Sequence, residues 1–315
     1  MKIVFMGTPD FAVESLKALL AQPSWKVVGV VTQPDRPKGR GHKLVMSPVK
    51  EYALAENLPV WQPEKVNTPE FLDTLKKLEP ELIVVAAFGQ FLSTAILAMP
   101  KYGCINVHAS LLPRLRGAAP IQYAIYQGHT EAGVTIMQMA KGMDTGDMLS
   151  RVSVSVGEEM TGGELFSLLA EKGANLLVKT IKEIVDGVVV PEPQKEKEAT
   201  YATLLTKELE KIDWSKSAVN LHNQIRAFDP VPGSFTVGPD GKNLKLWKSR
   251  VVKGDFPVAT PGTLVRVDKK TVVVATGEGY LELLEVQPEA KKRLAAVTLV
   301  NGNYFQTGKV LGVQA

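Results

Sequence analysis

Two residues of this chain, Asn106 and His108, have types and spacing that could do chemistry. They lie in the stretch Cys104-Ile-Asn-Val-His-Ala-Ser-Leu-Leu-Pro-Arg-Leu-Arg-Gly117. Residues 104–107 read as the end of a short buried strand after a turn at Gly103. Residues two apart on a strand face the same way. The chain then breaks at Pro113 and Gly117. A polar pair at the carboxyl end of a buried parallel strand, opening into a loop, sits where open α/β sheets place their ligand crevice. Asn brings two amide donors, and His brings a donor or a proton that titrates near neutrality. Together they could hold an oxyanion developing on a carbonyl. The same residues also fit a plainer reading, in which Asn106 caps a turn and His108 is a satisfied core side chain.

Three further stretches carry polar groups that could serve such a site. Asp144 lies in Lys141-Gly-Met-Asp-Thr-Gly-Asp147, between two glycines that allow tight backbone. It is either a turn-forming aspartate or a carboxylate set against His108. The run Ala87-Phe-Gly-Gln-Phe91 follows the apolar segment 82–86. Its backbone could bond the edge of a flat heterocycle while Phe88 or Phe91 packs on the face; a plain strand–helix turn with core aromatics is the alternative. Residues 33–49 hold Arg36, Lys38, Arg40, Lys43 and, just beyond, Lys50, with Asp35 the single acid among them. Pro34, Pro37, Gly39 and Gly41 argue against regular structure there. A glycine-hinged basic loop can fold onto phosphates when a partner arrives, and a mobile surface loop is the other reading.

These residues need a scaffold, and apolar periodicity supplies one. Residues 2–6 and 27–31 are buried strands around an amphipathic helix, a parallel βαβ unit. The intervening turn has one glycine, so the dinucleotide fingerprint Gly-x-Gly-x-x-Gly is absent. Helices are expected from Ser47-Pro48, from Thr68-Pro69, over 118–126, and over 161–186, where Thr161 and Glu164 have capping-box spacing. Residues 133–139 and 148–156 read as further strands. Residues 190–208 are charged and proline-bearing, as in a linker. After a helix over 215–227 and a corner at 229–233, five short alternating runs fit a small β-barrel. The expected fold is α/β: a Rossmann-like parallel-sheet domain over 1–189, a linker over 190–208, and an OB-like β-barrel domain over 209–315.

The chain has 315 residues, enough for two cores. Its formal net charge is +4, and residues 1–189 hold equal numbers of acidic and basic side chains, so the surplus lies beyond them. Such a bias favours a polyanionic partner, although a solvated basic surface would look the same. No window approaches the ~20 apolar residues of a membrane span. The first residues enter a strand at once without signal-peptide shape. One cysteine excludes an intrachain disulfide and a cysteine-based zinc cluster. The four histidines show no metal-ligand spacing, so no metal is expected. These features point to a cytoplasmic location.

The motifs now add up. Gly7-Thr-Pro-Asp-Phe11, Thr32-Gln-Pro-Asp-Arg-Pro37, Ile105-Asn-Val-His108, Ser110-Leu-Leu-Pro-Arg-Leu-Arg-Gly117, Thr135-Ile-Met-Gln-Met139, Met143-Asp-Thr-Gly-Asp147 and Arg226-Ala-Phe-Asp-Pro230 span the chain. It resembles, end to end, the folate-dependent formyltransferases, and within them those that formylate methionyl-tRNA. The resemblance implies transfer from 10-formyltetrahydrofolate to the methionine amine on initiator methionyl-tRNA, with tetrahydrofolate released. It implies a catalytic set of Asn106, His108 and Asp144. Asp144 would position a water that relays a proton. It places the folate at Phe88, Gly89 and Gln90 and at Ser110, Leu111, Leu112 and Pro113. It assigns tRNA gripping to Arg36, Lys38, Arg40 and Lys43, and it implies a monomer. The competing member of the same family would formylate an amino-sugar nucleotide or release formate to water. An RNA-binding module with an inactive α/β half is the competing reading from another class.

Overall fold

In the computed structural model the described residues are 1–38 and 43–313. The chain runs β1 (Lys2–Gly7), α1 (Asp10–Leu20), β2 (Lys26–Val31), β3 (Arg36–Lys38), β4 (Lys43–Val45), α2 (Pro48–Ala55), β5 (Val60–Trp61), α3 (Pro69–Leu78), β6 (Leu82–Ala86), α4 (Thr94–Leu97), β7 (Cys104–His108), β8 (Arg116–Gly117), α5 (Pro120–Tyr126), β9 (Glu131–Gln138), β10 (Met148–Ser155) and α6 (Gly162–Val185). It continues with β11 (Tyr201–Ala202), α7 (Lys207–Glu210), α8 (Ala218–Ala227), β12 (Ser234–Val237), β13 (Asn243–Val252), β14 (Leu264–Val267), β15 (Val272–Ala275), β16 (Tyr280–Pro288) and β17 (Leu294–Ala295). Two compact units result. One holds residues 1–120, 132–154 and 166–202; the other holds 121–131, 155–165 and 203–315.

The first unit is built on a seven-stranded sheet of order β10-β9-β7-β6-β1-β2-β5. From β5 to β7 the pairings are parallel, and β9 runs antiparallel to β7. β1 and β6 are apolar almost throughout because both faces of the sheet are covered. Val4, Met6, Ile83 and Val85 pack with Phe71 and Leu75 of α3 in one core layer. On α1, Phe11 meets Phe166 of α6 edge-on, with centroids 5.7 Å apart. Strand order reverses at β1, with β2 on one side and β6 on the other. The crevice at such a switch point opens at the carboxyl ends of the strands, where β7 also ends.

Helix starts follow the expected chemistry. Ser47 accepts from the Lys50 amide and Thr68 from that of Phe71, each with a proline just inside the helix. Thr161 and Glu164 form the reciprocal capping box, at 2.8 Å and 3.2 Å. The 33–49 stretch departs from its irregular reading, since β3 and β4 pair as an antiparallel hairpin with Pro37 opposite Leu44. Each strand of an isolated ribbon keeps one open edge, and there proline is tolerated. The stretch 190–208 carries β11, which pairs parallel with β8, and the first unit includes it as far as Ala202.

The second unit is an antiparallel sheet of order β12-β13-β16-β15-β14, with β17 on β16. Residues 308–312 bond both of its edges. The Leu264 amide donates to the Lys309 carbonyl, that of Leu311 to Gly262, and that of Gly312 to Val237, each at 2.8 Å. These bonds close the sheet into a small barrel. Leu221 and Ile225 of α8 fill it with Leu246, Val274, Leu283 and Phe305. No helix among the described residues is long and apolar enough to cross a membrane.

Candidate active site

β7 delivers Asn106 and His108 to the carboxyl end of the sheet on one face, as their spacing requires. Asn106 pairs with Val85 of β6 and Met137 of β9, and His108 pairs with Thr135. The Asn106 carboxamide is half-buried and has no hydrogen-bond partner among the described residues. His108 is buried. Its Nε2 lies 3.0 Å from the Leu115 carbonyl and its Nδ1 lies 3.6 Å from Asp144 Oδ2. Since a carbonyl only accepts, Nε2 carries the proton of that bond. The 3.6 Å separation is too long for a direct hydrogen bond, and a water set to one side of the pair could contact both atoms.

Asp144 reaches His108 from a loop 36 positions further along the chain, and main-chain groups fix it there. Its Oδ2 accepts from the Gly117 amide at 2.8 Å. Its φ of 51° is left-handed, a conformation that Asp tolerates better than most residues. The following Gly146 has no substitute, since a Cβ there would lie 1.7 Å from the Gln138 carbonyl oxygen. The arrangement can hold negative charge on an oxygen at Asn106 and pass a proton along the His108–Asp144 edge.

The segment after His108 is firmly tied. Thr135 Oγ1 donates to the Ser110 carbonyl at 2.7 Å and accepts the Leu112 amide at 3.2 Å. The Ser110 hydroxyl donates to the Arg114 carbonyl at 2.6 Å. Leu112 is buried with Met137 and Met148. Pro113 is buried and Leu111 half-buried. In the turn after β6, the Phe88 ring belongs to the core and its carbonyl accepts from Thr8 Oγ1 at 3.3 Å and Gln33 Nε2 at 3.0 Å. The Gln90 side chain binds the Pro63 carbonyl and the Val66 amide. Ala87 and Gly89 are exposed, and so is Phe91. Of the two rings either of which could pack on a heterocycle, Phe88 lies in the core and Phe91 is exposed.

The basic hairpin is less unopposed than its sequence implied. Arg36 meets Glu64 at 2.7 Å, and Lys50 meets Asp35 at 2.5 Å. Lys38 and Lys43 are paired in the backbone register of the ladder. Arg40 lies outside the described residues. Leu44 beside them is exposed. Among the described residues no three His, Cys, Asp or Glu side chains gather into a group that could hold a metal ion.

Spacing did not reveal Thr135 or Gln194. Gln194 Nε2 donates to the carbonyls of Asp144 and Gly146, both at 2.7 Å, across 50 and 48 positions of sequence. Nothing local to a charged, proline-bearing stretch signals such a bond.

Residues 1–181 match the formyl transferase family, and residues 204–304 match the formyl transferase C-terminal domain. A methionyl-tRNA formyltransferase of Clostridium perfringens is 50% identical over 312 residues, covering 99% of this chain and 100% of the relative. One of Bacillus subtilis is 49% identical over 313 residues, covering 99% and 98%. Among solved structures, an N-formyltransferase of Helicobacter canadensis, in complex with folinic acid and dTDP-3-aminofucose, superimposes with a TM-score of 0.62. It shares 18% identity over 91% of this chain and 99% of its own.

Proposed function

The chain belongs to the formyl transferase family, and from that premise we propose that it carries the formyl group of 10-formyltetrahydrofolate to the α-amine of methionine on initiator methionyl-tRNA. The observation that supports this most is the Asn106 carboxamide, without a hydrogen-bond partner among the described residues, on the strand that carries His108 to Asp144. That is what acyl transfer to an amine asks of a site: a fixed donor for the oxygen and a route for one proton. When bound, the folate supplies the formyl carbon and leaves as tetrahydrofolate.

Asn106 donates to the formyl oxygen as the amine nitrogen adds to the carbon and negative charge grows there. A water resting beside the Nδ1 of His108 and the carboxylate of Asp144 can take the proton from the amine and pass it to the departing N10. His108 Nε2 stays on Leu115, which fixes the ring plane. The folate lies against the turn of Phe88, Gly89 and Gln90, chiefly on main chain, and against Ser110, Leu111, Leu112 and Pro113. Arg36, Lys38, Arg40 and Lys43 of the 33–49 stretch grip the tRNA, and the basic barrel of 209–315 adds contacts to phosphates. The enzyme works as a cytoplasmic monomer.

The test is formyl transfer from 10-formyltetrahydrofolate to initiator methionyl-tRNA, beside an amino-sugar nucleotide and water as acceptors. Transfer that depends on the tRNA and is lost in His108→Ala is the expected result. Turnover without tRNA would overturn the acceptor, and no turnover with any acceptor would overturn the chemistry.

A further inference from the structure

Arg116 is a fully buried arginine four residues after the Ser110-Leu-Leu segment ends. Its Nε donates to Gln194 Oε1 at 3.0 Å, and its Nη1 donates to both carboxylate oxygens of Glu196 at 3.0 and 3.1 Å. With its oxygen held by Arg116, the Gln194 amide has one orientation left. Both hydrogens on Nε2 then point at carbonyls, those of Asp144 and Gly146. The opposite amide orientation would set an oxygen against two carbonyl oxygens and an NH2 against a guanidinium. The carbonyl of Asp144 is thereby clamped from one side, while the Gly117 amide holds its carboxylate from the other. Gly117 directly follows Arg116, so the residue that orients Gln194 and the amide that holds Asp144 are chain neighbours. Thr200 adds a third tie, its hydroxyl accepting from the Leu115 amide at 2.9 Å. Leu115 is the residue whose carbonyl fixes His108.

We propose that Gln194 is a positioning residue for formyl transfer: oriented by Arg116, it holds the 144–146 loop so that the Asp144 carboxylate stays facing His108. The inference rests on the reading of Asp144 as part of the reacting set. Gln194 is half-buried and touches no other group of that set, so its effect passes through the loop.

Two substitutions separate this role from a merely structural one. Gln194→Glu keeps an oxygen for Arg116 and loses both donors to the loop. Gln194→Met loses both. If Gln194 serves only to satisfy Arg116, Gln194→Glu restores turnover. As a positioning residue it does not, and both variants lower kcat by about 10²-fold, as small misplacements of reacting groups do. Their KM values for tRNA and folate stay near wild type. In an Asp144→Ala background, Gln194→Met removes nothing further, because the group it positions is gone. Exchange of the Gly117 amide reads the geometry without any turnover. It is slow in wild type and quickens in Gln194→Met toward its rate in Asp144→Ala. Wild-type turnover of Gln194→Glu, unchanged Gly117 exchange in Gln194→Met, or an undiminished loss in the Asp144→Ala background would each overturn the proposal. Full activity of Asp144→Ala would instead sink the reading of the site, and the Gly117 amide would still report whether Gln194 holds the loop.

Discussion

Among the described residues, the polar end of Asn106 has no hydrogen-bond partner. Three polar side chains that follow it or pair with its strand are tied: His108 to Leu115, Ser110 to Arg114, Thr135 to Ser110 and Leu112. A half-buried amide without a protein partner is free to donate to a bound group, the role proposed for it above. Asn106→Ala should therefore lower kcat by ~10²–10³, the usual cost of one lost oxyanion donor. Its KM values should move little, because charge on the oxygen grows only during reaction. Steady-state kinetics on both substrates checks this, and a rise in KM with kcat intact would mark Asn106 as a binding residue instead. At this scale the sequence was legible where chemistry and spacing coincide. Two polar residues on alternate positions of an apolar strand could be paired by eye. Asp144 was suspected from its glycines, and its approach to His108 needed the fold. Whether the Phe88 ring turns to the crevice or to the core was open in the sequence, since an aromatic after a buried strand can do either, and the ring lies in the core.

Among the elements, the loop between β9 and β10 is tightly constrained. Gly146 passes so close to the Gln138 carbonyl that any side chain must push the loop outward. Gly146→Ala should displace Asp144 with it and lower formyl transfer about as far as Asp144→Ala does. Thermal unfolding with both variants would separate loss of the site from loss of the fold. A second expectation concerns the start of α6. The Thr161 amide and hydroxyl bond the Glu164 carboxylate and hold its pKa below the usual range. A carboxyl with a lower pKa folded than unfolded adds stability above its unfolded pKa and loses it as pH falls through the folded one. Glu164→Gln should thus destabilise near neutrality, and the difference from wild type should shrink in acid. Melting curves across pH 2–7, a window set roughly by ordinary carboxylate values, test it. The capping box was readable because it is a local pattern. The β3–β4 hairpin was not, because two prolines and two glycines outweigh a ladder only three residues long.

For the molecule as a whole, the distribution of charge decides how the partner is met. The basic surplus lies beyond residue 189. In the first unit Arg36 and Lys50 already have acidic partners. Phosphate contacts of this kind release counterions, so tRNA affinity should fall steeply and linearly in log–log terms as salt rises. Arg40→Ala should weaken tRNA use at every salt concentration and leave folate binding intact. Binding titrations at several salt concentrations read both, and a flat salt dependence would count against an electrostatic grip. The two-part architecture was legible because apolar periodicity changes from long covered strands to short alternating ones. The tie between residues 194–202 and the catalytic end was not. It is made by hydrogen bonds across 48 to 85 positions of sequence, in a stretch whose composition is that of a tether.

The turn after β6 bears on how this enzyme could be inhibited and how it could escape. Phe88 anchors the turn from within through its ring, and Thr8 and Gln33 anchor it through the Phe88 carbonyl. The exposed positions beside it are Ala87 and Gly89, which offer at most a methyl group. A competitor shaped to that turn would rest on main chain, which a point mutation does not alter. Resistance would then require a change in the backbone itself, and through Phe88 such a change reaches the core of the sheet.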